Sequence, residues 1–128
     1  MKVILISLLI AVTASAATLE VAPKVTGTFS SFAYNDESGD LGGTEISIVV
    51  GGDGYYAIVQ CAEGSPGIPI MAKVQVQGQR VSFAVPKGTA SGCPPATYSG
   101  TVSAAGLTGQ FAGFGRSKLL QRKPSYWQ

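Results

Sequence analysis

Ile70-Met71-Ala72-Lys73-Val74-Gln75-Val76-Gln77, followed after Gly78-Gln79 by Arg80-Val81-Ser82-Phe83-Ala84-Val85, is the stretch that decides the fold. In the first run Ile70, Ala72, Val74 and Val76 share one face, and Met71, Lys73, Gln75 and Gln77 share the other. In the second, Val81, Phe83 and Val85 alternate with Arg80, Ser82 and Ala84. A period of two belongs to a strand with one wet face. A glycine between two such runs is hairpin chemistry, so these strands are antiparallel neighbours.

Outward from that hairpin the same signals recur. Segment 45–50 alternates, with Ile46, Ile48 and Val50 on one face, and Gly51-Gly52-Asp53-Gly54 turns it into 54–61, which is apolar on both faces. Further strands are expected at 97–103 and 106–114, joined by Ala105-Gly106, and an opening strand at 25–34. In that opening strand the alternation slips between Phe29 and Phe32, which points to a bulge. Longer connections fall at the acidic loop 35–44 and the Pro/Gly-rich loop 86–96. No helical stripe follows the N-terminal segment. Gly27, Gly100 and Gly109 fall in phase with the inward Phe29, Val102 and Phe111, where small residues let strands bend and suit a tapering interior. The expected fold is therefore all-β: an antiparallel meander of seven or eight strands forming a small barrel or near-barrel, with a β-sandwich as the alternative.

The N-terminal segment reads as an export signal. Lys2 precedes the apolar run Val3–Val12, and Ala14-Ser15-Ala16 supplies a small-residue cleavage site. The run is about half the roughly 20 residues needed to span a bilayer. The expected division is a signal peptide over 1–16 and a single all-β domain over 17–128, without a membrane span in the mature protein. Of nine Lys/Arg and seven Asp/Glu, loss of Lys2 leaves eight against seven. That balance gives no reason to expect nucleic acid as a partner.

Cys61 and Cys93 are the two cysteines, and there is no histidine. Two thiols without histidine are too few ligands for a structural zinc site. A disulfide between them fits an exported, oxidising location, periplasmic or extracellular, and would close a loop of about 33 residues, worth roughly 3.5–4 kcal/mol in the chain-entropy model.

Without histidine, and without a G-x-S-x-G or S-x-x-K motif, nucleophilic hydrolysis lacks its usual base. Gly52-Asp53-Gly54-Tyr55-Tyr56-Ala57 matches a dinucleotide fingerprint in letters only, because a strand follows where the phosphate needs a helix N-terminus. Asp36, Glu37, Asp40 and Glu45 form the most distinctive polar cluster, but their spacing does not fit a twelve-residue calcium loop. Tyr55 and Tyr56 point to opposite faces of one strand, and Tyr126 and Trp127 end the chain. These eight residues are the candidate binding set, since exposed carboxylates, Tyr and Trp serve carbohydrate and protein contacts. No catalytic residue, metal or cofactor is expected.

Glu37-Ser38-Gly39-Asp40-Leu41-Gly42-Gly43-Thr44-Glu45-Ile46, with Ala57, Val59-Gln60, Ala62-Glu63-Gly64 and Pro66, resembles small exported bacterial proteins with a single β-rich domain. That resemblance implies an exported β domain and carries no activity or site residues. Gly106-Leu107-Thr108-Gly109 is similar to avidin-type barrels, while the rest of the biotin-contacting pattern is missing. The expectation is a non-enzymatic binding module for a small molecule or envelope polymer. The alternative is a protein-interaction module, such as an inhibitor of a secreted hydrolase.

Overall fold

A computed structural model describes residues 10–17 and 21–128. Residues 1–9 of the expected leader lie outside the described residues, and its remainder up to Ala16 carries no helix or strand. Nine strands follow in chain order: β1 Gly27–Ser30, β2 Ala33–Asn35, β3 Asp40–Gly51, β4 Gly54–Pro66, β5 Ile70–Gln77, β6 Arg80–Ala84, β7 Thr97–Val102, β8 Gly106–Phe111 and β9 Phe114–Arg122. Each of β3 to β8 pairs antiparallel with the next. The first strand joins both ends of that meander, pairing with β3 on one side and β9 on the other. Eight strands thus close into a barrel, with β2 outside it. Among the described residues no helix is long and apolar enough to cross a membrane.

Closure explains the alternating pattern. Phe29, Ile46, Ile48, Val59 and Leu107 are fully buried inside, and an eight-stranded barrel is just wide enough for such side chains to fill. Gly27 and Gly100 sit opposite Ile48 and Val81, so the in-phase glycines do face inward. One end is stoppered by the chain itself. Val25 joins the core there, and Arg122 donates to the carbonyls of Thr26 and Lys24 with its guanidinium 4.7 Å from the Phe29 ring.

Three sequence expectations need correction. No residue is inserted in the opening strand: Gly27 opposite Ile48 and Ala33 opposite Gly42 lie on one register. Phe29 and Phe32 are an odd number of residues apart, so simple alternation places one inside and the other on the outer face. The regular ladder is interrupted at Ser31 and Phe32: the Ser31 N–H still donates to the Thr44 carbonyl at 2.9 Å, but Ser31 Oγ accepts from the Thr44 N–H at 3.0 Å, and Ser30 Oγ from the Phe32 N–H at 3.2 Å. The bulge is instead in β9, where the register shifts between the partners of Gly109 and Phe111. The acidic loop is shorter than 35–44, since Asp40 to Thr44 already belong to β3. Finally, 106–114 is not one strand. It turns after Phe111, and β9 returns to complete the barrel.

Candidate functional site

Cys61 and Cys93 are bonded. Their bridge pins the 86–96 loop over the end of the barrel opposite Arg122. Backbone bonds fix the loop further: the Cys61 N–H donates to the Ser91 carbonyl at 3.2 Å, and the Ile68 N–H to the Ala90 carbonyl at 2.8 Å. Gly67 is obligatory at this contact, because a Cβ there would stand 2.0 Å from the Ser91 carbonyl oxygen.

Under this loop the barrel interior is not filled. Inward positions that carry Phe, Ile and Leu nearer the stoppered end become Ser31, Thr44, Cys61 and Gly109 here, leaving a mouth cavity of about 560 Å³. That volume is in the range of small-molecule sites. Phe111, Phe114, Leu120 and the disulfide contribute apolar wall, and Glu63, Arg116 and Lys118 contribute charge.

Tyr98 is the polar group deepest in this wall. It is 2% exposed, its ring stacks on Phe83 at 5.1 Å, and Phe111 meets it edge-on at 5.1 Å. Among the described residues its hydroxyl has no hydrogen-bond partner. Burial pushes the phenol well above the ordinary tyrosine value of 10.0, so it is neutral and a donor. The hydroxyl lies where Gly109 has no side chain; a Cβ at 109 would sit 2.5 Å from it. Buried polar groups without partners are uncommon in folded proteins.

The candidate residues read from sequence do not gather at this mouth. Asp36 and Glu37 are exposed on the turn between β2 and β3, and Asp40 starts β3. The turn is held by Asn35, whose side-chain oxygen accepts from the Glu37 and Ser38 amides at 3.0 and 3.3 Å. Among the described residues no group of three or more His, Cys, Asp or Glu is placed to hold a metal ion. Glu45 faces outward from β3 and is buried by the C-terminal tail: Ser125 Oγ donates to Oε1 at 2.5 Å, and the Tyr126 N–H to Oε2 at 2.9 Å. Trp127 Nε1 donates to Gln60 at 2.9 Å, and the rings of Tyr126 and Trp127 stand edge-on to Phe32. Phe32, Leu41 and Ala62 form a small apolar cluster on the outside of the barrel, and the tail lies against it.

Tyr55 packs against the core, while Tyr56 faces out beside Asp53 and Lys73. The Tyr56 hydroxyl donates to Asp53 at 2.7 Å and Lys73 Nζ to the same carboxylate at 2.9 Å. The hydroxyl first and the ammonium second hold that carboxyl below its ordinary range. All three are solvated, so this is a surface trio.

A second concavity, about 620 Å³, lies on the outer face of β5 to β8 and is lined largely by Gln75, Gln77, Ser82, Ser99, Thr101 and Gln110. It offers hydroxyls, amides and the Arg80 guanidinium but, among the described residues, neither an aromatic wall nor an orphaned buried group. Sequence reasoning missed Tyr98, Phe114, Arg116 and Lys118. The available signal was a tyrosine in phase with Gly100 and Gly109, an inward polar tip facing inward gaps. No family model matches the chain, and neither a curated protein nor a solved structure is found similar to it.

Proposed function

We propose that this protein is an exported, non-enzymatic binding module that holds a small molecule in the mouth of its barrel. The observation that carries this reading is the cavity of about 560 Å³, apolar on one side and charged at its rim, beneath a disulfide-tethered loop. A site of mostly apolar lining with a few fixed polar groups is what small-molecule recognition requires. The wall is rigid, because the loop is bound by backbone hydrogen bonds as well as the bridge, and preorganisation lowers the ordering cost of binding. The lining offers neither imidazole nor free thiol, which supports binding rather than turnover. The disulfide favours an oxidising location, in the periplasm or outside the cell.

The test is a melting-temperature screen of the mature protein against apolar small molecules and envelope glycans. A ligand that binds the folded barrel raises the midpoint with concentration. The reading expects a shift that Phe111→Ala diminishes. A screen with no shift in either class contradicts it.

A further inference from the structure

Resting on the mouth reading, we infer that the ligand is a small anionic amphiphile, an acid whose apolar body lies on Phe111 and Leu120 and whose head group meets Tyr98, Arg116 and Lys118. Three observations converge on that class. The walls around the cavity include aromatic and aliphatic surface, which suits a hydrocarbon chain or ring. Arg116 and Lys118 both line the cavity, and among the described residues neither makes a salt bridge or a side-chain hydrogen bond. Among the described residues Glu63 is the one carboxylate on the lining, so the rim carries a net excess of positive charge. The third observation is the Tyr98 hydroxyl, buried against Gly109 in the same wall and, among the described residues, without a partner.

A buried donor without a protein partner destabilises the fold, and an acceptor brought by a ligand relieves that cost. A carboxylate is such an acceptor, and it also takes charge-assisted bonds from guanidinium and ammonium. The bulge in β9 is what delivers the cations. The register shift between the partners of Gly109 and Phe111, with Gly115 at a φ of 70°, sets the Arg116–Lys118 segment at the mouth.

The experiment is calorimetric titration of the mature, disulfide-intact protein with octanoate, 1-octanol and octylammonium, which share a chain and differ in head-group charge. Octanoate is expected to bind at least tenfold more tightly than either of the others. Arg116→Gln with Lys118→Gln should erase that preference while leaving the melting temperature of the free protein unchanged. Tyr98→Phe should weaken octanoate about fivefold yet raise the melting temperature of the free protein, a pairing that a purely structural tyrosine does not give. Equal affinity for all three probes overturns the anionic class and leaves the mouth reading standing. Silence from all three, beside a positive melting screen with another ligand, overturns this inference alone. Silence in both experiments removes the mouth reading itself. A Tyr98→Phe variant that binds octanoate as well as the parent overturns the role given to the hydroxyl.

Discussion

Tyr98 and Gly109 together define what is unusual at the level of single residues. The phenol is fixed between Phe83 and Phe111 and finds room only because position 109 has no side chain. Gly109→Ala would place a Cβ 2.5 Å from both the phenol oxygen and the Ser99 carbonyl oxygen. We expect this overpacking to cost about 1–3 kcal/mol, read as a lower urea midpoint. Burial also gives the phenol a pH signature. Its folded-state pKa lies above the unfolded value near 10.0 because burial penalises the phenolate, so below pH 10 its titration costs the fold nothing. As pH rises beyond that, the unfolded chain releases the proton while the barrel keeps it, and stability falls by up to about 1.4 kcal/mol per pH unit. Urea unfolding between pH 9 and 11.5 should therefore fall less steeply for Tyr98→Phe than for the parent; parallel curves would contradict the assignment. The alternation of 97–103 placed this tyrosine in a strand. Its missing partner was not legible, because that depends on what the opposite wall withholds.

Among the elements, β9 and the tail behind it were the hardest to read. Phe114-Gly115-Arg116-Ser117-Lys118-Leu119-Leu120 has no clean period of two, since the bulge breaks its register and only Leu120 is buried. By contrast, the hairpin of β5 and β6 was visible at once, because every second residue meets the core. The tail reads as a polar end with two aromatics, yet it lies against the outer face of β3 and β4. The Glu45 carboxylate takes the Ser125 hydroxyl and the Tyr126 amide, bonds that an alanine cannot replace. Hydrogen bonds to a charged group contribute about 1.5–3 kcal/mol. Glu45→Ala should accordingly raise amide exchange at Tyr126 by tenfold or more while leaving Ile46 and Val59 protected. Unchanged exchange at Tyr126 would show that the tail is held by its aromatic contacts with Phe32 instead. Of the eight candidate binding residues, Glu45, Tyr126 and Trp127 thus meet one another, because alternation says which face a residue takes but not which segment later covers it.

For the whole molecule, one disulfide and one closure determine the site. The β1 strand, only four residues long, pairs with both β3 and β9 and turns a meander into a barrel. Barrel rather than sandwich was suggested by the inward glycines, and the bridge by the absence of other cysteines. The hollow at one end was not legible, because it arises from the height at which small inward residues from separate strands coincide. Cys61 and Cys93 are 32 positions apart, so the double variant Cys61→Ser, Cys93→Ser should lose about 3.5–4 kcal/mol of stability in the chain-entropy model. A loss below about 1 kcal/mol would mean that the backbone bonds alone secure the loop. The claim on which the account turns is that a small ligand enters at this bridged end. Amide chemical-shift mapping of the isotope-labelled protein during octanoate titration tests it directly. The account predicts shifts concentrated at Gly92, Cys93, Gly109, Phe111 and Gly115 to Lys118. Shifts confined to the outer face of β5 to β8, or no shifts at all, would contradict it.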